Sequence, residues 1–309
     1  MGGKAARAAL PAHAHKVAVK YQRRCFFHQR CFLPEPTRVT LSPVREQFFH
    51  RYFHRLGAAA DNAGRGIGRA ALNMFMPPQC PLTGDAVVAP GELGPAGWAA
   101  LHFIDDPFCG RCGVPFAADY GEGVECPSCI AAPPVYDRAR AAISYNDAAR
   151  KLVSGLKFSD HMEYADMLGA WMARAGEGFL TNETVIIPVP LHWRRLMSRR
   201  FNQSALLARS IGKASGAATA LRGLKRTRAT PPQKQTPSLD ARRRNVAGAF
   251  AVEDKFRAII EGAQVVLVDD VLTSGATVSA CARALKKAKA SQVDVLVLAR
   301  VVKGGIGAI

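Results

Sequence analysis

Asp269 and Asp270 stand side by side, and just beyond them Thr273-Ser274-Gly275-Ala276-Thr277 makes a short turn of hydroxyls and small residues. Ionised aspartates only accept hydrogen bonds, so an adjacent pair suits the donating hydroxyls of a vicinal diol. A turn without bulky side chains lets backbone N–H groups close on an anion, more so where it opens a helix whose dipole favours negative charge. Diol and anion together describe a sugar phosphate. A second constellation consists of Cys109, Cys112, Cys126 and Cys129, spaced C-x2-C, x13, C-x2-C. Two such knuckles deliver four thiolates to the corners of a tetrahedron, and an all-thiolate site with no open position is a structural zinc site.

Other elements must hold these groups in place. Val265-Val266-Leu267-Val268 is the continuous apolar run of a buried parallel strand, expected to end where Asp269 and Asp270 meet solvent. The carboxylates then sit at a strand's carboxyl end, where open α/β sheets bind ligands. A helix is predicted over Thr277–Ala290, with Cys281 on its apolar stripe as a core residue. Further strands are predicted at Ala141–Tyr145, Val185–Ile187 and Val293–Ala299, and helices at Ala148–Phe158, Ala165–Ala175 and Phe201–Ala214. The alternation implies an α/β fold with a mostly parallel sheet covered by helices on both faces.

The strand at Val185–Ile187 runs into PVPLHWRRLMSRRFNQ. A proline-set turn there places the amides of Val189, Leu191 and His192 around Pro190, with Arg194 and Arg199 close behind, at the same sheet edge as the phosphate loop. That combination suits pyrophosphate. LKRTRATPPQKQTPSLDARRRNVAGAF follows, too irregular for a strand or helix until about Asp240, and a long basic loop in a compact domain reads as a lid. Its cations Lys225, Arg226, Arg228 and Arg242 are candidates to neutralise a leaving group.

Cys80 to Pro134 is rich in Gly, Pro and Cys, as expected of a small module in which the metal supplies folding energy. Within it, CPLTGD reads as an upstream knuckle whose second cysteine position holds Thr83, a poor zinc ligand, so one complete site is expected. Three segments result: a basic extension over 1–75, a zinc-ribbon-like module over 76–134 and the α/β domain over 135–309. In the extension, REQFFHRYFHR reads either as a basic amphipathic helix or as part of a poorly ordered tail, with the second reading preferred.

The net charge of +18 is concentrated. Residues 1–75 carry 13 Lys or Arg against 3 acids, and residues 188–250 carry 14 against Asp240 alone, while the remainder is slightly acidic. Two basic blocks attract polyanions, pyrophosphate and nucleic acid among them. No segment approaches a membrane-spanning apolar run and the start lacks the apolar core of a secretory signal, so a cytoplasmic protein without membrane insertion is expected. In that setting 8 cysteines point to metal or free thiols rather than disulfides.

VVLVDDVLTSGAT resembles the phosphoribosyl-pyrophosphate signature of type I phosphoribosyltransferases. The resemblance implies that Asp269 and Asp270 hold the ribose hydroxyls and that Thr273, Ser274, Gly275, Ala276 and Thr277 cradle the 5'-phosphate. With the cysteine knuckles, the PVPLH turn, RRFNQ, TPPQ and RRRNVAGAF, the chain is similar to the ComF family over roughly Cys80 to Val301. It departs from that pattern at Thr83, and at Arg200, where glycine is expected. What the resemblance implies is a zinc-ribbon module joined to a type I phosphoribosyltransferase fold, with a role in DNA uptake or the handling of single-stranded DNA. Structural zinc, magnesium bound with phosphoribosyl pyrophosphate, and competence or recombination proteins as partners follow from it. The alternative is an active phosphoribosyltransferase of nucleotide metabolism with an unknown acceptor, for which Asp269, Asp270 and Arg226 are the catalytic candidates.

Overall fold

A computed structural model describes residues 77–158, 163–191, 201–228 and 239–302, all within one compact unit. Its centre is a parallel sheet in the order β1-β7-β6-β2-β3, formed by β1 (Arg138–Ser144), β2 (Val185–Pro188), β3 (Ala218–Thr219), β6 (Gln264–Leu272) and β7 (Gln292–Arg300). A separate antiparallel pair joins β4 (Leu224–Arg226) to β5 (Phe250–Val252). The helices are α1 (Pro95–Ala99), α2 (Pro127–Ala131), α3 (Asp147–Phe158), α4 (Glu163–Ala175), α5 (Gln203–Ser215), α6 (Leu239–Val246), α7 (Arg257–Ile260) and α8 (Ala276–Lys287).

Central strands buried on both faces read as unbroken apolar runs, and alternate residues of β6 feed two cores. Val265 and Leu267 pack with Val278, Cys281 and Leu285 of α8 and with Phe250 of β5. Val266 and Val268 pack with Leu152 of α3, Leu168 and Trp171 of α4, and Leu207 and Ile211 of α5. The helices therefore cover both faces, as the alternation in the sequence implies, and Cys281 is a core residue.

The strand carrying the aspartates does not end at Val268. It continues to Leu272 because β7 keeps pairing with it, Asp269 opposite Val297, Val271 opposite Ala299 and Leu272 opposite Arg300. On its other side the pairing does stop, Pro188 of β2 lying opposite Val268. Asp269 and Asp270 thus have a sheet neighbour on one side and a notch on the other. Because α8 packs on one face of the sheet and α5 on the opposite one, this notch between the carboxyl ends of β2 and β6 is a switch point of the kind where α/β sheets take ligands.

The basic stretch after α5 is also more ordered at its base than its composition suggests. Lys225 and Arg226 lie in β4, held opposite Ala251 and Phe250, and Arg228 donates from Nη2 to the carbonyls of Asn245 (3.2 Å) and Ala247 (3.0 Å). Short strands of this kind are set by their cross-strand partner, which a single segment does not reveal.

The cysteine-rich segment lies along the outer edge of β1. Ile104 donates its N–H to Ala142, Ser144 to His102 and Ala139 to Arg111, at 3.0, 2.8 and 2.7 Å. Gly113 packs so closely on β1 that a Cβ there would come within 2.5 Å of the Ala139 carbonyl oxygen, at a φ of +69° that only glycine takes without strain.

Candidate functional site

The turn at 189–191 leaves β2 with Val189 N–H bonded to the Val268 carbonyl at 2.8 Å, which brings Val189, Pro190 and Leu191 to the side of the notch facing Asp269. Asn202 fixes the far end of the connection. Its Nδ2 donates to the Val189 carbonyl (3.1 Å), while its Oδ1 caps α5 by accepting from Ser204 N–H (3.2 Å). Capping in turn places Ser204 so that its hydroxyl donates to Asp269 Oδ1 at 3.0 Å, an oxygen that also accepts from Asp270 N–H at 2.9 Å. Two donors on one oxygen hold the Asp269 carboxylate in a single orientation. Asn-Gln-Ser before an apolar-periodic segment is a recognisable helix start, and it is the one signal in the sequence that points toward Ser204.

Past Leu272, the chain turns through Thr273 and Ser274 into Gly275, the N-cap of α8, at φ +71°. The first N–H groups of a helix have no acceptor within it, and here they open at the carboxyl end of β6. Ser274 Oγ is buried and makes no hydrogen bond, a polar atom in want of a ligand. The observation fits an anion seated against residues 273–277. Tyr136 closes the loop from beneath, its hydroxyl 3.9 Å from where a Cβ on Gly275 would lie.

Of the basic candidates, Arg226 turns inward. Its guanidinium lies 5.3 Å from the centre of the Phe250 ring, and the buried Cys281 thiol, pushed up by burial and by Asp269, is drawn back by Arg226. Arg226 and Asp269 therefore act on one interior group, whereas Lys225 of the same strand is exposed. His192, Arg194 and Arg199, like the extension over 1–75 and the lid residues 229–238, lie outside the described residues, and so does the side chain of Arg242.

The four predicted zinc ligands come together. The sulfurs of Cys109, Cys112, Cys126 and Cys129 are buried and all lie within 4.8 Å of one another. Cys112 and Cys126 are 3.7 Å apart, close to the roughly 3.8 Å edge of a tetrahedron with about 2.3 Å zinc–sulfur bonds. Amides of Cys112 and Cys126 point at Cys109 Sγ from 3.4 and 3.2 Å. Without a cation such a cluster sustains few thiolates. The hydrogen bond from Cys112 draws the Cys109 thiol down to about 4, against burial, while that same bond together with burial holds Cys112 well above the usual thiol range. Burial is also the main cause that lifts Cys129 to about 12. A divalent soft cation is what this donor set fits.

Around Cys80 the backbone repeats the same plan without the ligands. Gln79 bridges Ala86 as Phe108 bridges Pro115, and Gly84 donates its N–H to the Cys80 carbonyl as Gly113 does to Cys109, each at 2.9 Å. Both glycines have positive φ, +80° and +69°. The helices α1 and α2 each start with proline after an extended N-cap, Gly94 in one and Cys126 in the other. Cys80, Thr83, Gly94 and Gly97 thus occupy the places of Cys109, Cys112, Cys126 and Cys129. A Cβ on Gly97 would fall 2.9 Å from Cys80 Sγ, so the two halves of this first ribbon converge as those of the second do.

Comparison with known proteins agrees with the two-part reading. Residues 71–130 match a double zinc ribbon domain and residues 208–305 a phosphoribosyl transferase domain. The chain is 34% identical over 198 residues to the DNA utilization protein YhgH of Salmonella typhimurium, an alignment spanning 62% of this chain and 83% of that one. It is 27% identical over 206 residues to competence protein F of Haemophilus influenzae, spanning 63% and 85% of the two chains. Competence protein ComFC of Bacillus subtilis matches at 27% over 164 residues, 52% of this chain and 63% of that one. None of the described helices is long and apolar enough to cross a membrane.

Proposed function

Because this chain belongs to the ComF family, we propose that its β6–α8 cradle binds phosphoribosyl pyrophosphate with magnesium and that the protein handles single-stranded DNA during natural transformation. The observation that carries the reading is the pair of hydrogen bonds from Ser204 and the Asp270 amide that orients the Asp269 carboxylate next to a helix-opening loop with an unsatisfied Ser274 hydroxyl. In this reading Asp269 and Asp270 accept hydrogen bonds from the ribose hydroxyls and the 273–277 loop receives the 5'-phosphate. Pro190 and Leu191, with His192, Arg194 and Arg199, receive the pyrophosphate, while Val189, whose N–H is taken by the Val268 carbonyl, anchors the turn instead of lending its amide, and Arg226 adds positive charge from the interior. Magnesium, held mainly by phosphate oxygens, supplies charge neutralisation at the pyrophosphate. The two basic blocks supply the phosphate contacts for DNA in the cytoplasm, where competence or recombination proteins are the expected partners.

Calorimetric titration of the full chain with phosphoribosyl pyrophosphate and magnesium tests the ligand. Binding by the wild type that disappears in Asp269→Ala/Asp270→Ala is expected, and a wild type without binding heat overturns the assignment. Single-strand binding that weakens steeply between low and high salt is expected for DNA. A second reading, turnover of the same ligand by an active phosphoribosyltransferase, is favoured by the intact aspartate pair and predicts pyrophosphate release once the acceptor is present.

A further inference from the structure

Arg300 is the last residue of β7 and touches three parts of the molecule at once. Its side chain donates from Nη1 to the Cys112 carbonyl at 2.6 Å and from Nη2 to Cys112 Sγ at 3.3 Å. Its backbone stands opposite Leu272, the residue before the phosphate loop, and opposite Ser144 of β1. Its carbonyl accepts from Tyr145 N–H (2.7 Å), and the next residue, Val301, donates to the Leu272 carbonyl (3.0 Å). Tyr136, buried beneath Gly275, lies within the electrostatic reach of both Arg300 and the cysteine cluster. A thiolate ligand, one guanidinium and the first turn of the sugar-phosphate cradle are therefore mechanically continuous.

We propose that Arg300 is a positioning residue that couples the zinc centre to the 273–277 loop, so that metal occupancy sets how well the loop is ordered for its anion. A four-thiolate zinc site carries net negative charge, which a guanidinium hydrogen-bonded to one sulfur offsets, and partners of this outer kind fix ligand orientation. Arg300 is bonded to both the carbonyl and the sulfur of Cys112, so a displacement of that ligand reaches the guanidinium directly, and the register of β7 with Leu272 carries it to the start of the loop. Ordering at either end restricts the other. The inference rests on the proposed ligand for one of its readouts and stands without it for the rest.

In wild-type protein loaded with zinc, linkage requires that phosphoribosyl pyrophosphate with magnesium raise zinc affinity against a zinc-selective chelating dye, by about threefold to tenfold, because coupling is reciprocal. Arg300→Met is expected to lose zinc to the dye about tenfold more readily, to abolish that ligand effect and to raise amide hydrogen exchange within 273–277. Arg300→Lys, which keeps the charge without the fork, is expected to recover part of each. Exchange in β2 and α5 is expected to stay unchanged, which separates positioning from general loosening. If the wild type binds phosphoribosyl pyrophosphate and its zinc affinity does not move, the coupling is overturned. If it does not bind, the ligand assignment falls, and the coupling is then decided by exchange in the wild type before and after zinc removal, where a change in the 273–277 loop no larger than that in β2 and α5 overturns it.

Discussion

The two ribbons share a backbone and differ in what closes them. In the second, four buried sulfurs form a cluster of their own, with the partly buried Val114 and Phe116 packed against it. In the first, Cys80 packs instead with Leu82, Leu93 and Leu101 in the same core as α3, α4 and α5. Trp98 of α1 extends that core, its ring 5.7 Å from Phe103 and 5.3 Å from Trp171 of α4. A knuckle that docks apolar side chains on a large domain is held by burial, and glycines can then stand where ligands would. A knuckle with little apolar surface of its own depends on metal. Ligand loss is tolerable only on the side of the module that has somewhere else to pack.

The harshest way to break the contrast is Cys129→Ser. Metal analysis is expected to fall from about one zinc per chain to none, with a loss of at least about 4 kcal/mol, part of the roughly 10–16 kcal/mol a structural zinc contributes in small peptides. Thermal unfolding should drop by about 10 °C or more. A variant that melts with the wild type would mean the second ribbon is also held by burial.

The reverse experiment sharpens it. Thr83→Cys/Gly94→Cys/Gly97→Cys is expected to bind about two zinc ions per chain, since the backbone already brings these positions beside Cys80. Native mass spectrometry that still shows a single metal would contradict the equivalence of the two ribbons.

Smaller effects follow from Cys80 itself. Cys80→Ala should cost about 1–2 kcal/mol in denaturant unfolding, the scale of a lost small core group, and leave zinc content unchanged. A variant that sheds zinc would show that the first ribbon serves the metal after all.

Acid should distinguish the ribbons as well. Cys112 and Cys129 are raised, so in the metal-free cluster they hold protons at neutral pH, and zinc must displace both. Zinc affinity then falls as pH falls, by at least about a hundredfold per unit for these two protons, while Cys109, drawn down to about 4, contributes none of that slope above its own range. Competition titrations between pH 8 and 6 measure the slope, and a flat profile would place the metal elsewhere.

Much of this was legible in the residues because the chemistry is local. A carboxylate pair, a small-residue turn and two C-x2-C pairs each keep their ligand geometry within a few positions. Of the first ribbon, the CPLTGD knuckle with Thr83 in a ligand's place is legible, but its second half is not, because Gly94 and Gly97 stand at both ligand positions there and the likeness survives in Gly84, in Pro95 and in a backbone bridge rather than in chemical groups. The length of β6 is hidden in the sequence for a related reason. Asp269 and Asp270 look like an end, but β7 supplies partners through Leu272. Ser204 and Arg300 lie far along the chain from the groups they hold, at Asp269 and Cys112, and only the fold brings them there.

The hydrogen bonds from residues 102–111 to β1 have one more effect. An edge strand in an open sheet displays unpaired amides and carbonyls that another chain can join, and proteins commonly cover such edges. Here the covering is the ribbon module, which takes up Ala139, Ala142 and Ser144 along the outer side of β1. A chain trimmed to begin near Val135 would uncover a seven-residue edge, Arg138–Ser144, and the expected result is self-association through that edge. The ribbon module would then guard against self-association as well as position four cysteines for a metal, and the phosphoribosyl transferase domain is expected to associate when expressed without it.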